Sequence, residues 1–305
     1  MAQVQFGISL SRIDDVAGAA RELEGLGYDY LGVGEHVFFH VPVSNGFISL
    51  AVAAGATDRI GLMTTITLLP LYPPPLAAKL GAALDVSSGG RFHLGVGIGG
   101  EYVKEFEACG VPVRERGART DEALEVIRRL WTDDDVSFEG RFTTLSGVTL
   151  APRPQSQPHP PIWIAGRKEA AMRRTAQHGD GWLPYMYTPE MVAASLDTIA
   201  GRRAEFGRDD PVSPGLFIFF AVHDDRDTAV EMAVSRLSKQ YNQDFSALVG
   251  KYALAGTPDD CAARLREYVD AGVRTVMLAS ACPSDYTDAN HRLMSTEVVP
   301  RFRDS

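Results

Sequence analysis

Residues 91–106 read Arg-Phe-His-Leu-Gly-Val-Gly-Ile-Gly-Gly-Glu-Tyr-Val-Lys-Glu-Phe, an apolar strand that runs straight into glycines. Gly95, Gly97, Gly99 and Gly100 remove side chains where a strand ends and a helix begins, so a cofactor could lie against bare backbone there. Gly95, Gly97 and Gly100 also satisfy G-x-G-x-x-G, the dinucleotide fingerprint. That fingerprint belongs on the first strand of a βαβ unit and needs an acidic residue about twenty positions on, closing the second strand. Three strands come earlier in this chain, and Asp121 falls in a helical stretch. The match is a coincidence of a glycine-rich turn, and the architecture has to be read from the flanking segments.

Those segments repeat one unit, a short β-branched run followed by an amphipathic helical stretch. Val4–Leu10 reads as a strand and Asp14–Leu26 as a helix that stops at Gly27. Strand Tyr30–Gly34 precedes helix Phe47–Ala56, and strand Ile60–Leu69 precedes helix Pro75–Val86, with proline in the permitted first turn. Arg91–Gly97 is the fourth strand, and a helix covers Asp121–Trp131. The second half continues with strand Pro161–Ala165, helix Glu169–His178, strand Gly181–Pro184 and helix Pro189–Phe206. Strand Leu216–Val222 leads into a long helical stretch from Asp227. Helix Pro258–Ala271, with Thr257 as N-cap, precedes strand Val273–Ser280, and Tyr286–Phe302 reads as a terminal helix.

The eight strands are continuous apolar runs, as in parallel sheets covered on both faces. Eight βα units in 305 residues predict an α/β fold, a (β/α)8 TIM barrel; a doubly wound sheet is the other architecture such units build. Val136–Leu150 alternates about a turn at Glu139-Gly140 and predicts a β-hairpin, and the proline-rich Ala151–Pro161 an extended connector. The expected organisation is one domain over residues 1–305, with a hairpin insertion near 133–160 and a helical insertion near 224–257.

Composition narrows the partners. The chain is 45% hydrophobic and 23% charged, with a net charge of −9 and no basic block, which argues against duplex nucleic acid or an anionic membrane. No basic segment followed by an apolar signal core opens the chain, and no apolar run is long enough to span a bilayer. Cys109, Cys261 and Cys282 are odd in number and far apart, so they form neither a disulfide framework nor a zinc pattern, and a reducing cytoplasm is the expected location.

A barrel of this kind builds its site at the C-terminal ends of its strands. Those ends read Ser9-Leu10-Ser11, Gly34-Glu35-His36, Thr64-Thr65-Ile66-Thr67, the glycines with Glu101, Ala165-Gly166-Arg167, Trp182-Leu183-Pro184-Tyr185 and Ala279-Ser280-Ala281. Hydroxyl and ionisable groups therefore collect at one end. Glu35-His36 can exchange protons near neutral pH, or else His36 only shapes a loop. His40, four residues on, raises a metal site, but Pro42 and its neighbours argue for a loop rather than the helix such a pair needs. Ala165-Gly166-Arg167-Lys168 offers a small strand end, two cations and a helix start, a combination that suits a phosphate. No G-x-S-x-G elbow and no Walker lysine loop is present.

Taken together, the chain resembles the bacterial-luciferase-like flavin-dependent oxidoreductases. The resemblance rests on Tyr30-Leu31-Gly32-Val33-Gly34-Glu35-His36, Leu84–Phe92, the glycine strand with Glu101 and Glu105-Phe106, Pro161–Gly166, Gly179–Pro184 and Gly256-Thr257-Pro258. It implies a reduced flavin or deazaflavin over the strand ends, either FMN or coenzyme F420, and chemistry ranging from oxygen-using monooxygenases to hydride transfer. It implies His36 as acid/base, with Glu35 where deazaflavin members often carry aspartate. It places Thr64, Thr65 and Ile66 under the ring, with a non-prolyl cis peptide at Thr65-Ile66. It sets Gly97, Gly99, Gly100 and Glu101 along the ring or tail, and Ala165, Gly166 and Arg167 near the phosphate. Ser9, Ser11 and Tyr185 are left to face a small-molecule substrate. Glu35-His36 and Thr65-Ile66 tilt the choice towards F420, and the resemblance makes a homodimer plausible. A non-catalytic flavin or deazaflavin binder is the alternative, and a metal-dependent hydrolase built on Glu35, His36 and His40 a further one.

Overall fold

The structure, a computed structural model, describes residues 3–303; Met1 and Ala2, where the N-terminal reading begins, lie outside them. Eight strands form the barrel: β1 (Gln5–Ser9), β2 (Tyr30–Val33), β3 (Gly61–Thr64), β4 (Phe92–Gly97), β5 (Ile162–Ala165), β6 (Gly181–Leu183), β7 (Ser213–Val222) and β8 (Thr275–Ser280). Each pairs in parallel with the next, and β8 pairs with β1, so the sheet closes and the doubly wound alternative is excluded. A parallel sheet needs helical crossovers, and the helices supply the outer layer.

The strands alternate between two cores. Phe6 and Ile8 of β1, Leu31 and Val33 of β2, and Phe92, Leu94 and Val96 of β4 join the layer between sheet and helices. Tyr30, Met63, Trp163, Leu183 and Met277 fill the barrel interior. The thioether of Met277 occupies the space a side chain would take at Gly7, where a Cβ would lie 2.1 Å from its Sδ. Gly95 and Gly97 stand on the same inward face as His93, alternating with the outward Leu94 and Val96.

The expected third strand is broken. β3 stops at Thr64, the Thr65-Ile66 peptide is cis, and pairing resumes over Thr67–Leu68. Between the pairs Met63–His93 and Thr67–Val96 the chain advances four residues on one side and three on the other, which is a bulge of one residue. Thr64 Oγ1 ties the bulge to β4, donating to the Gly95 carbonyl and accepting from the Gly95 N–H, both at 2.8 Å.

Elsewhere the differences are local. A short helix, Val103–Ala108, follows the glycine turn directly, and the helix expected from Asp121 begins at Arg116 and runs to Thr132. The hairpin is present as Val136–Glu139 and Thr144–Val148. In the segment after β7, helix Arg226–Tyr241 and a short turn of helix lead to an unexpected strand, Ala253–Gly256, which pairs with Phe219–Val222. Thr257 caps helix Pro258–Asp270 through a capping box with Asp260. The terminal helix is composite: an α segment Thr287–Leu293, a π turn Met294–Val298 and a 3-10 end at Val299–Phe302, where Pro300 supplies no N–H. Among the described residues no helix is long and apolar enough to cross a membrane.

Candidate active site

The C-terminal strand ends enclose a cavity of about 1020 Å³. Of the residues given roles by the family resemblance, all but Thr64 and Gly100 line it, whereas Gly95 and His40 do not. Thr64 is fully buried behind the wall with its hydroxyl committed to Gly95. Gly100, at φ +104°, faces Arg116.

Glu35 and His36 are adjacent in sequence but face different neighbourhoods. The Glu35 carboxylate is 7% exposed and accepts four hydrogen bonds: Leu68 N–H at 2.9 Å, Tyr72 hydroxyl at 2.9 Å, Asn45 amide at 3.0 Å and Gly46 N–H at 3.2 Å. Burial pushes its pKa up, and the donors partly offset this. A carboxylate with its lone pairs so occupied is a clamp. It fixes the end of β2 to the resumed strand Thr67–Leu68 and to the start of helix Gly46–Ala54.

His36 is the group left available. Its Nδ1 lies 3.2 Å from both oxygens of Glu105, whose side chain is fully buried and which also accepts from Val37 N–H at 3.1 Å. A carboxylate only accepts, so Nδ1 carries the proton and Nε2 is the nitrogen left for exchange. Phe39 stacks on the ring with centroids 4.1 Å apart, which restricts its rotation. Glu105 sits in the first turn of helix Val103–Ala108, 69 residues from its partner, and spacing arguments around residue 36 could not reach it.

The far wall comes from β4, β5 and β6. Tyr185 donates to Glu101 at 3.0 Å, and burial, with Glu101 adding to it, pushes the phenol up to about 12. Arg167 lies over the Tyr185 ring, 5.0 Å from its centroid. Helix Glu169–His178 starts at this wall with no side-chain cap, so its first N–H groups and the flanking Arg167 and Lys168 suit a phosphate. Ser9 Oγ and Thr65 Oγ1, on residues that line the cavity, have no hydrogen-bond partner in the protein. The residues present therefore fit a flat, polar-edged cofactor with an anionic tail.

Sequence reasoning missed part of the lining. Phe217 and Phe219 of β7, and Met232, Arg236, Lys239 and Tyr241 of the following helix, close the remaining side. Their period on the helix was a usable signal, but nothing in sequence turned that face inward. The metal alternative is not assembled: among the described residues no three His, Cys, Asp or Glu side chains are grouped to hold an ion, and His40 packs edge-on against Tyr102.

Residues 2–275 match the family model for luciferase-like monooxygenases. The F420-dependent glucose-6-phosphate dehydrogenase of Microbacterium testaceum is 26% identical over 92% of this chain and 90% of its own length. The FMNH2-dependent dimethylsulfone monooxygenase of Pseudomonas putida is 32% identical over 56% of this chain. The match spans 47% of that enzyme's length, and 63% of the length of uncharacterised relatives from Mycobacterium tuberculosis. The crystal structure of the monooxygenase RslO1 from Streptomyces bottropensis superposes with a TM-score of 0.82 and 26% identity, covering 98% of this chain and 99% of that one. A match over nearly the whole chain and a shared barrel lead to one conclusion: the chain belongs to the luciferase-like monooxygenase family of oxidoreductases.

Proposed function

We propose that the protein is an F420- or FMN-dependent oxidoreductase acting on a small organic molecule, with His36 as the proton-exchanging group. The observation that carries this reading is the His36–Glu105 pair at the edge of the 1020 Å³ cavity. When bound, the reduced cofactor supplies a hydride, or electrons to oxygen. Everything else falls to this chain's own side chains.

Glu105 holds the imidazole by Nδ1 and steadies the positive charge that appears when Nε2 takes a proton. Glu35 acts as a positioning residue: its four hydrogen bonds hold the turn on which His36 sits. Ala165, Gly166, Arg167 and the first turn of helix Glu169–His178 would hold the phosphate, and Thr65, Ile66, Gly97, Gly99 and Glu101 would flank the ring and tail. Ser9, Ser11 and Tyr185 remain on the substrate side. Val37, Phe38 and Phe39 follow His36 directly, and their apolar surface suits a lid that keeps water from the reacting atoms.

F420 is the favoured cofactor, supported by the histidine–carboxylate pair and by a named F420-dependent relative that aligns over 92% of the chain. The test is titration of the purified protein with FMN and F420, followed by substrate screening with the cofactor that binds. Micromolar binding of one is expected, and His36→Asn should preserve binding while lowering turnover about a hundredfold or more. Absence of binding to both would overturn the proposal, and unchanged turnover in His36→Asn would remove the role of His36.

A further inference from the structure

The chain carries 39 Asp and Glu against 30 Lys and Arg, so a wall drawn at random from its charged residues would be acidic. The cavity wall is the reverse. Arg116, Arg167, Lys168, Arg236 and Lys239 face two carboxylates, Glu35 and Glu101. Both carboxylates already accept hydrogen bonds, Glu35 four of them and Glu101 that of Tyr185. Among the described residues, none of the five cations has a carboxylate within 4.0 Å. The two buried arginines elsewhere are each paired with a carboxylate, Arg174 with Asp121 and Arg203 with Asp210. Unpaired cations in a concave wall focus a positive potential that a net charge of −9 conceals.

Apart from Arg116, which begins helix Arg116–Thr132, the five fall into two groups by topology. Arg167 and Lys168 follow β5 and belong with the phosphate site proposed above. Arg236 and Lys239 lie on helix Arg226–Tyr241, which follows β7, four strands from β3 in either direction round the barrel. They are therefore opposite Thr65-Ile66. Met232, Ser235, Arg236, Lys239 and Gln240 all line the cavity, a spacing that makes them one face of that helix. Its other face docks through Ala233 and Leu237 onto Phe219, Phe245 and Val249, which holds the cationic face inward. The same cavity is lined by an aromatic cluster: the Phe217 and Phe219 centroids are 5.6 Å apart, and those of Phe219 and Tyr241 6.1 Å, both pairs edge-on.

We propose that the substrate is an amphiphilic anion whose carboxylate or phosphate-like group is held by Arg236 and Lys239 and whose apolar or aromatic body lies on Phe217, Phe219 and Tyr241. The proposal rests on the cavity being the site of oxidoreduction, with the cofactor on the β3–β5 side. An acidic cofactor tail offers the same anionic chemistry, and the test separates the two.

Calorimetric titration of the cofactor-free protein compares phenyl phosphate and 3-phenylpropionate with the neutral 3-phenylpropanol. Both anions should bind at least about tenfold more tightly than the alcohol. Arg236→Gln/Lys239→Gln should abolish that preference, each single variant should lose part of it, and Arg167→Gln should retain it. Circular dichroism and an unshifted thermal midpoint check that the variants are folded. FMN and F420 should bind the double variant within about twofold of the parent. Equal binding of anions and alcohol, no detectable anion binding, or an unchanged preference in the double variant overturns the proposal. So does a tenfold loss of cofactor affinity with anion binding intact, which would assign the two cations to the cofactor tail. Failure of the parent to bind either cofactor, with the anion preference present, would count against the oxidoreductase reading alone.

Discussion

Gly97→Ala tests whether the inward glycines of β4 make room for a cofactor or for the protein itself. A Cβ built at Gly97 would lie 2.0 Å from Ile66 Cδ1 and 2.9 Å from Cγ1, and 3.6 Å from Ile66 Cβ. Carbon atoms pack at about 3.5–4.0 Å, so the end of the Ile66 side chain would have to retreat by roughly 1.5 Å. Overpacking of this kind costs about 1–3 kcal/mol. Ile66 is partly exposed to the cavity and can move more freely than a core side chain, so the expected loss is about 2 kcal/mol, or about 4 °C in the thermal midpoint. Ile66→Ala removes both offending atoms and leaves Cβ in ordinary contact, so the double variant Gly97→Ala/Ile66→Ala should recover stability relative to the sum of the single changes. The coupling should be at least about 1 kcal/mol in a double-mutant cycle measured by urea denaturation of cofactor-free protein. Strict additivity would refute the packing argument. So would a Gly97→Ala protein of unchanged stability that had lost only flavin or deazaflavin affinity, because the cleared space would then belong to the ligand.

Two further perturbations probe the frame around the site. Glu35→Gln puts an amide donor against four donors and should cost about 3 kcal/mol, with faster proteolysis within residues 37–45; unchanged protection would mean the clamp is dispensable. His178 and His291 are buried, and burial pushes both down to about 4, as it does His93. They fold neutral, whereas the unfolded chain takes up protons below about 6.5, so their contribution is fully present above that pH and is lost as the pH falls towards 4. At pH 5 each of His178 and His291 should destabilise by about 2 kcal/mol relative to pH 7, and His178→Asn should flatten the fall in thermal midpoint; an identical pH profile in that variant would refute the assignment.

Much of the barrel was legible because its eight strands are short, apolar on both faces and separated by helix-length segments, a pattern few other folds produce. The strand missed, Ala253–Gly256, consists of Ala-Leu-Ala-Gly, which has no β-branched residue; it is held by its pairing with Phe219–Val222 rather than by local preference. The site divides along the same line. Which residues reach the strand ends follows from the order of elements, and almost all of those singled out do line the cavity. Which way each side chain points depends on register, and the one-residue bulge after β3 alters it: Thr64 turns back to Gly95 while Thr65 and Ile66 meet the cavity.

The glycine run shows the limit most clearly. Gly95 and Gly97 sit two apart because one face of a barrel strand repeats every second residue, and that face meets the bulge: a Cβ at Gly95 would lie 1.9 Å from the Thr64 carbonyl oxygen. A G-x-G pair therefore arises here from packing between neighbouring strands, with no ligand needed to explain it. Gly99, at φ +58°, lies two residues past the end of β4, where the chain turns towards the helix that carries Glu105. The run thus bears on chemistry indirectly. It lets β3 bulge into the barrel and brings round the turn that sets Glu105 against His36, and no local reading of the glycines could show that, since His36 lies on another strand end far upstream.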